Sequence, residues 1–144
     1  VFSFQGPEEA TQLTAHTYVL EDGAWVENGG VSMTRDAVED GPFQGEFALL
    51  RQEDRSMDLY LHHQGGQVSF TSEPVAFPGE SLASSRGGLQ ESVPASLGEE
   101  IPVAVFVEDS GTALRSLGPE VYFTPEEAAG YDVVQVVTLE FRCE

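Results

Sequence analysis

Residues 12–25 read QLTAHTYVLEDGAW, and their period is two. Leu13, Ala15, Thr17 and Val19 alternate with Thr14, His16, Tyr18 and Leu20, which puts the two sets on opposite faces of an extended strand. Glu21-Asp22-Gly23 follows, and then Ala24-Trp25-Val26. Asp-Gly between two such runs is the strongest short hairpin signal, because a type I′ turn needs positive φ at both central residues. Gly29-Gly30 marks the next break in the pattern.

The same period recurs along the chain. Residues 45–51 (GEFALLR) set Phe47 and Leu49 on one face. Residues 56–62 (SMDLYLH) point Met57, Leu59 and Leu61 inward and Asp58, Tyr60 and His62 outward. Gln64-Gly65-Gly66 turns the chain into residues 67–72 (QVSFTS), a second hairpin carrying Val68 and Phe70. Residues 101–107 (IPVAVFV) alternate Ile101, Val103, Val105 and Val107 on one side, and Asp109-Ser110-Gly111 turns them into residues 112–117, a third hairpin. The last run, residues 131–142 (YDVVQVVTLEFR), offers Val133, Val137, Leu139 and Phe141 to the core. Its alternation fails at Gln135, which implies a bulge or burial on both sides.

Helix is scarce. Residues 124–130 (TPEEAAG) are the clearest turn: Thr124 as N-cap, Pro125 at the first position, two acids next, and Gly130 as the stop. A second turn near residues 92–97 is limited by Pro94. Residues 77–100 are rich in Ser, Gly and Pro and lack a strand pattern. They read as a long crossover loop inside a single domain, 1–144, because neither half alone has enough strands for a stable sandwich. Eight or nine strands with one short helical turn predict an all-β, antiparallel β-sandwich, Ig-like or similar, with a β-barrel as the alternative.

A chain of 144 residues is one domain's worth of protein and large enough for a core without disulfides. Its charge is unusual: 25 acids against 6 arginines and no lysine give −19. The acid is evenly spread, with 12 acids and 3 arginines in residues 1–72 and 13 acids and 3 arginines in residues 73–144. Such a surface repels nucleic acid and anionic membranes. Without lysine there is no Schiff base, no P-loop lysine and no isopeptide staple. Asn28 and Ile101 are each the only residue of their type, so Lys, Asn and Ile are depleted together, as a GC-rich genome would do. The single Cys143 permits no internal disulfide and has no base nearby in sequence to activate it. No apolar run approaches the ~18 residues of a membrane span, so no membrane insertion by this domain is expected.

Three segments carry a resemblance. Residues 18–25 (YVLEDGAW), residues 98–103 (GEEIPV) and residues 123–127 (FTPEE) are together similar to β-sandwich domains of uncharacterised bacterial secreted lipoproteins. There an alternating strand ends in acidic residues and Gly followed by Trp, and a helical turn precedes a final long strand. The resemblance implies an extracellular or cell-surface protein, lipid-anchored through a cysteine upstream of Val1. It implies no enzyme activity, and Cys143 does not match such an anchor.

Candidate sites are few. His62 and His63 are adjacent, so on a strand they point to opposite faces and do not share a metal; His16 stands apart. Acids gather at Asp36/Glu39/Asp40, at Glu53/Asp54/Asp58 and at Glu108/Asp109, but no D-x-D-x-D-G calcium loop is present. Residues 79–83 (GESLA) mimic a nucleophile elbow, a motif that works only between a strand and a helix of an α/β sheet. Paired carboxylates for glycoside cleavage lack an evident cleft on so small a domain. Trp25, with Tyr18, Tyr60, Tyr122 and Tyr131, offers rings to a sugar, and Trp25 and Tyr60 are the candidate ligand-binding residues. No catalytic residue, metal or cofactor is expected. The reading is a non-catalytic extracytoplasmic binding or structural domain whose partner is an unknown protein or polysaccharide. The alternative is a carbohydrate-binding module of a cell-surface enzyme. An exposed coplanar platform of Trp25 and two tyrosines would favour the alternative.

Overall fold

The computed structural model describes residues 2–7, 9–34, 43–63, 66–75, 83–88, 94, 96–111 and 117–142. They form nine strands: β1 (Phe2–Gln5), β2 (Gln12–Glu21), β3 (Ala24–Thr34), β4 (Gln44–Arg51), β5 (Met57–His63), β6 (Gly66–Thr71), β7 (Ala83–Gly88), β8 (Glu100–Asp109) and β9 (Val133–Arg142). Two 3-10 helices, η1 (Pro119–Phe123) and η2 (Pro125–Ala128), lie between β8 and β9. The strands make a four-stranded sheet, β1-β4-β5-β6, and a five-stranded sheet, β3-β2-β9-β8-β7. All pairings within the two sheets are antiparallel. Neither sheet closes on itself, so the fold is a β-sandwich and the barrel alternative falls away.

The main core lies between the sheets. Leu13 and Ala15 of β2, Phe47 of β4, Met57, Leu59 and Leu61 of β5 and Val137, Leu139 and Phe141 of β9 interlock there. Leu59 and Leu61 are fully buried while Tyr60 between them is exposed, as the alternation of β5 requires. Each such side chain contributes roughly 1.5–3 kcal/mol of burial. A second core lies on the other side of the five-stranded sheet. There Val105, Val107, Val134 and Val136 are capped by Val121 of η1 and Ala128 of η2. The central strand β9 is therefore buried on both faces, and the irregularity at Gln135 is two-sided burial.

The first hairpin forms as its sequence requires: Asp22 has φ 51° and Gly23 has φ 80°. Gly29-Gly30, however, does not end β3. The strand runs through it with a register shift opposite Thr17/Tyr18. A Cβ on Gly29 would lie 2.6 Å from the Phe70 ring, and one on Gly30 would lie 2.9 Å from the Ala15 carbonyl. Those glycines serve close approach rather than a break.

Strand β8 corrects a second expectation. A register shift between Pro102 and Ala104 makes Val103 the extra residue of a bulge. Ile101 and Val103 face the main core as read, but Val105 and Val107 face the second core instead. The bulge also accommodates Pro102, which has no N–H for the ladder. Both edges of β8 are taken, by β7 and β9, and residues 112–116 of the third hairpin expected after Asp109-Ser110-Gly111 lie outside the described residues. Strand β7 arises within the stretch read as a crossover loop, and β1 had no clear signal. The helical turn after Thr124 is a 3-10 turn, and the Thr124 hydroxyl donates to the Glu127 carboxylate at 2.6 Å rather than capping a backbone N–H.

Candidate functional site

Among the described residues, a grouping of polar and aromatic side chains lies on the outer face of the five-stranded sheet, beside the second core. Strand β2 supplies His16 and Tyr18, because the face opposite Leu13 and Ala15 points away from the sandwich interior. The register brings His16 opposite Thr138, Thr14 opposite Glu140, and Glu100 opposite Glu140. Tyr18 is opposite Glu27 across the β2–β3 pair. Helix η1 lays Tyr122 over this row.

Glu100 is the hub. Tyr18 donates its hydroxyl to Glu100 Oε1, Thr138 donates to the same oxygen at 2.9 Å, and Tyr122 donates to Oε2 at 2.8 Å. Burial by itself would raise the Glu100 carboxyl, but these three hydroxyls and His16 hold it below the usual carboxylate range. The same contact works in reverse on the phenols. Burial first, and then the carboxylate, push Tyr18 and Tyr122 above the ordinary tyrosine value. His16 bridges two further acids. Its Nδ1 is 2.6 Å from Glu27 Oε1 and its Nε2 is 3.1 Å from Glu140 Oε1. Arg142 Nε lies 3.6 Å from the other oxygen of Glu140.

An aromatic cluster borders this network. Tyr18 and Tyr122 are tilted at 42° with centroids 5.2 Å apart. Trp25 stacks on Tyr122 at 6.0 Å and 30°, and its indole N–H donates to the Tyr122 carbonyl at 2.8 Å. Phe123 meets Tyr122 edge-on at 5.4 Å and 70°, and it is 65% exposed.

The two candidate ligand residues are not brought together. Trp25 is half-buried against η1, on the outer side of the five-stranded sheet. Tyr60 stands on the outer face of the four-stranded sheet between Ala48 and Ser69. Trp25, Tyr18 and Tyr122 share a face, but Trp25 stacks on Tyr122 and Tyr18 is tilted from it, so they make no flat platform. His62 and His63 diverge as expected: His62 is exposed, and His63 is buried against Phe43 with Nδ1 at the Gln44 backbone.

The acidic clusters also divide. Asp54 accepts from Ser56, while Asp58 accepts from Gln52 and Thr71. Asp109 accepts from the backbone of Gly111 and Asp132. Glu108 instead turns between the sheets, where Arg51 Nη2 donates to it at 2.6 Å and Arg55 Nε donates to the same oxygen. Arg51 Nε donates to the fully buried Gln135 at 3.0 Å, and Gln135 donates to the Arg55 carbonyl at 2.9 Å. Asp36/Glu39/Asp40, residues 79–82 of the elbow-like motif and Cys143 lie outside the described residues. Among the described residues no group of three or more His, Cys, Asp and Glu is arranged to hold a metal ion. No described helix is long and apolar enough to cross a membrane.

Sequence reasoning set His16 aside and passed over Glu27, Glu100 and Glu140. The one signal was that His16 and Tyr18 occupy the polar face of a strand whose other face is core. Their acidic neighbours come from positions 27, 100 and 140, which only strand order brings together. Comparison with protein-family models, curated proteins and solved structures finds no match to this chain.

Proposed function

We propose that this chain is a non-catalytic, extracytoplasmic binding domain that docks its partner on the aromatic edge formed by Trp25, Tyr122 and Phe123. The observation that carries the reading is Phe123, a large apolar ring left 65% exposed beside a stacked pair of rings. The indole–carbonyl bond ties Trp25 of β3 to η1, so the rings are presented on a held frame. Along the chain, Glu21 and Asp22 at the hairpin tip precede Trp25, Glu120 precedes Phe123, and Glu126 and Glu127 follow it, and neither segment, 18–34 or 117–131, holds a Lys or Arg. A partner with an apolar anchor and cationic flanks complements that surface. The ring tilts count against a sugar, which stacks best on a coplanar platform. Non-catalysis is supported by Glu100 and His16, whose acid–base groups are engaged by neighbouring side chains. The extracytoplasmic setting rests on the resemblance of residues 18–25, 98–103 and 123–127 to secreted lipoprotein domains.

The test is an NMR titration of the ¹⁵N-labelled chain with an arginine- and leucine-rich peptide and, separately, with a cello-oligosaccharide. The peptide is expected to give saturable shifts at the Trp25 indole and across residues 119–128, and Phe123→Ser is expected to weaken it at least fivefold. Phe123 is exposed, so the substitution leaves the fold intact. Equal binding by Phe123→Ser, or shifts with the oligosaccharide alone, would overturn the reading.

A further inference from the structure

His16 has an arrangement that only one protonation state satisfies. Both ring nitrogens face carboxylates, Nδ1 that of Glu27 and Nε2 that of Glu140. A neutral imidazole has one N–H and one lone pair, so it can donate to only one of them. The imidazolium donates to both. The groups facing it come from every strand around it. Glu27 lies on β3, Glu140 on β9, and Glu100 on β8 has its Oε1 4.0 Å away. Tyr18 stacks on the ring at 5.9 Å, Tyr122 of η1 reaches the cluster through Glu100, and Arg142 approaches Glu140.

The two carboxylates are not equivalent. The Glu140 side chain is 11% exposed and lies on a central strand, whereas that of Glu27 is 50% exposed and lies on the edge strand β3. A buried carboxylate loses more than an exposed one when its donor goes. A neutral His16 therefore keeps its proton on Nε2 for Glu140, and Nδ1 turns a lone pair toward Glu27. Glu27 sits at the register irregularity of β3. It is next to Asn28, the extra residue of the bulge, and just before Gly29-Gly30.

We propose that His16 is a proton-operated latch on the edge strand: protonated, it ties β3 to β2 and β9 through Glu27 and Glu140 at once; neutral, it retains Glu140 and releases Glu27 with the bulge at residues 27–30. Burial opposes the charge on His16, but its hydrogen bonds to Glu27 and Glu140 outweigh that and lift the imidazole above its ordinary value of 6.5. The unfolded chain titrates near that ordinary value. The latch is thus fully closed below it and opens as pH rises through the higher, folded value. The edge at which β3 would admit an added strand is then firmer in acid than in alkali.

The experiment is a pH titration of the intact domain. His16 ring resonances are followed by NMR, together with hydrogen exchange of the amides of residues 26–30. His16 is expected to titrate above 6.5. Across that titration, exchange at residues 26–30, corrected for its intrinsic pH dependence, is expected to quicken about fivefold, the scale of one partly exposed ion pair. Residues 138–142 stay protected. Glu27→Gln, a change at a half-exposed side chain, is expected to lower the His16 titration and abolish the pH step in exchange. A His16 that titrates at or below 6.5 overturns the proposal, as does exchange that opens at residues 138–142 instead. A Glu27→Gln variant that keeps the step overturns it as well.

Discussion

Replacing Glu108 by Gln tests how the two sheets are pinned together at one end of the sandwich. Glu108 leaves β8 on the core-facing side and accepts from Arg51 at the end of β4 and from Arg55 in the following turn. Arg51 also lies over the Phe106 ring, 5.3 Å from its centroid. The three side chains are 12%, 19% and 16% exposed, so water screens them poorly. Gln has the same shape, so the change opens no cavity and removes only the charge. Two guanidiniums then remain near each other without their shared carboxylate. Removing one member of a buried pair costs about 3–5 kcal/mol, and the residual exposure puts this site at the low end, about 3 kcal/mol. For a domain of this size that corresponds to a fall in Tm of about 9 °C. Urea and thermal unfolding followed by circular dichroism at pH 7 measure it. The pH dependence supplies a second check. Burial opposes the Glu108 charge, but Arg51 and Arg55 prevail and hold its carboxyl below the ordinary 4.5. A depressed folded value means the stabilisation is present above about pH 4.5 and lost as pH falls through the folded value. The gap between wild type and Glu108→Gln should hold from pH 7 to about 5 and close in stronger acid. A loss under about 1 kcal/mol, the size of an exposed pair, or a gap unchanged in acid would refute the reasoning.

Three other outcomes are expected. Self-repulsion at −19 makes Tm rise between about 10 mM and 150 mM NaCl, as the screening length shortens from roughly 30 Å to 8 Å; a flat or falling Tm in calorimetry would contradict this. Leu59→Asp puts a charge at a fully buried position and abolishes cooperative unfolding; a retained melting transition would show that β5 tolerates the other register. Gly45→Ala drives a Cβ onto the His62 carbonyl oxygen of the paired strand and costs about 3 kcal/mol; unchanged unfolding in urea would show that β4 yields easily there.

The shortage of cations shapes both polar clusters. A buried carboxylate needs donors, and this chain has only six arginines to offer. Two of them converge on Glu108 and a third approaches Glu140. Glu100 is served by three hydroxyls, and Glu27 and Glu140 share one histidine. The histidine, lifted above its ordinary value of 6.5, makes the outer cluster responsive to pH, as an arginine would not.

What the sequence determined by itself is what depends on neighbours along the chain. The period of two in residues 12–20 set Leu13 and Ala15 on the face opposite His16 and Tyr18, and in residues 56–62 it assigned Leu59 and Leu61 to the core, because adjacent side chains on a strand must point to opposite faces. Asp22-Gly23 located its turn because few other residues accept positive φ. Only the tertiary structure decided the rest. One inserted residue at Val103 sent Val105 and Val107 to the second core, and alternation counted along the sequence cannot register it. Gly29-Gly30 resembled a break until Phe70 and the Ala15 carbonyl were seen against it. Trp25 and Tyr60 resembled partners in binding but belong to different sheets. His16, Glu27, Glu100 and Glu140 meet because the strand order β3-β2-β9-β8 puts distant segments side by side. That order is set by how whole faces bury together, a non-local free energy that no short stretch of residues encodes.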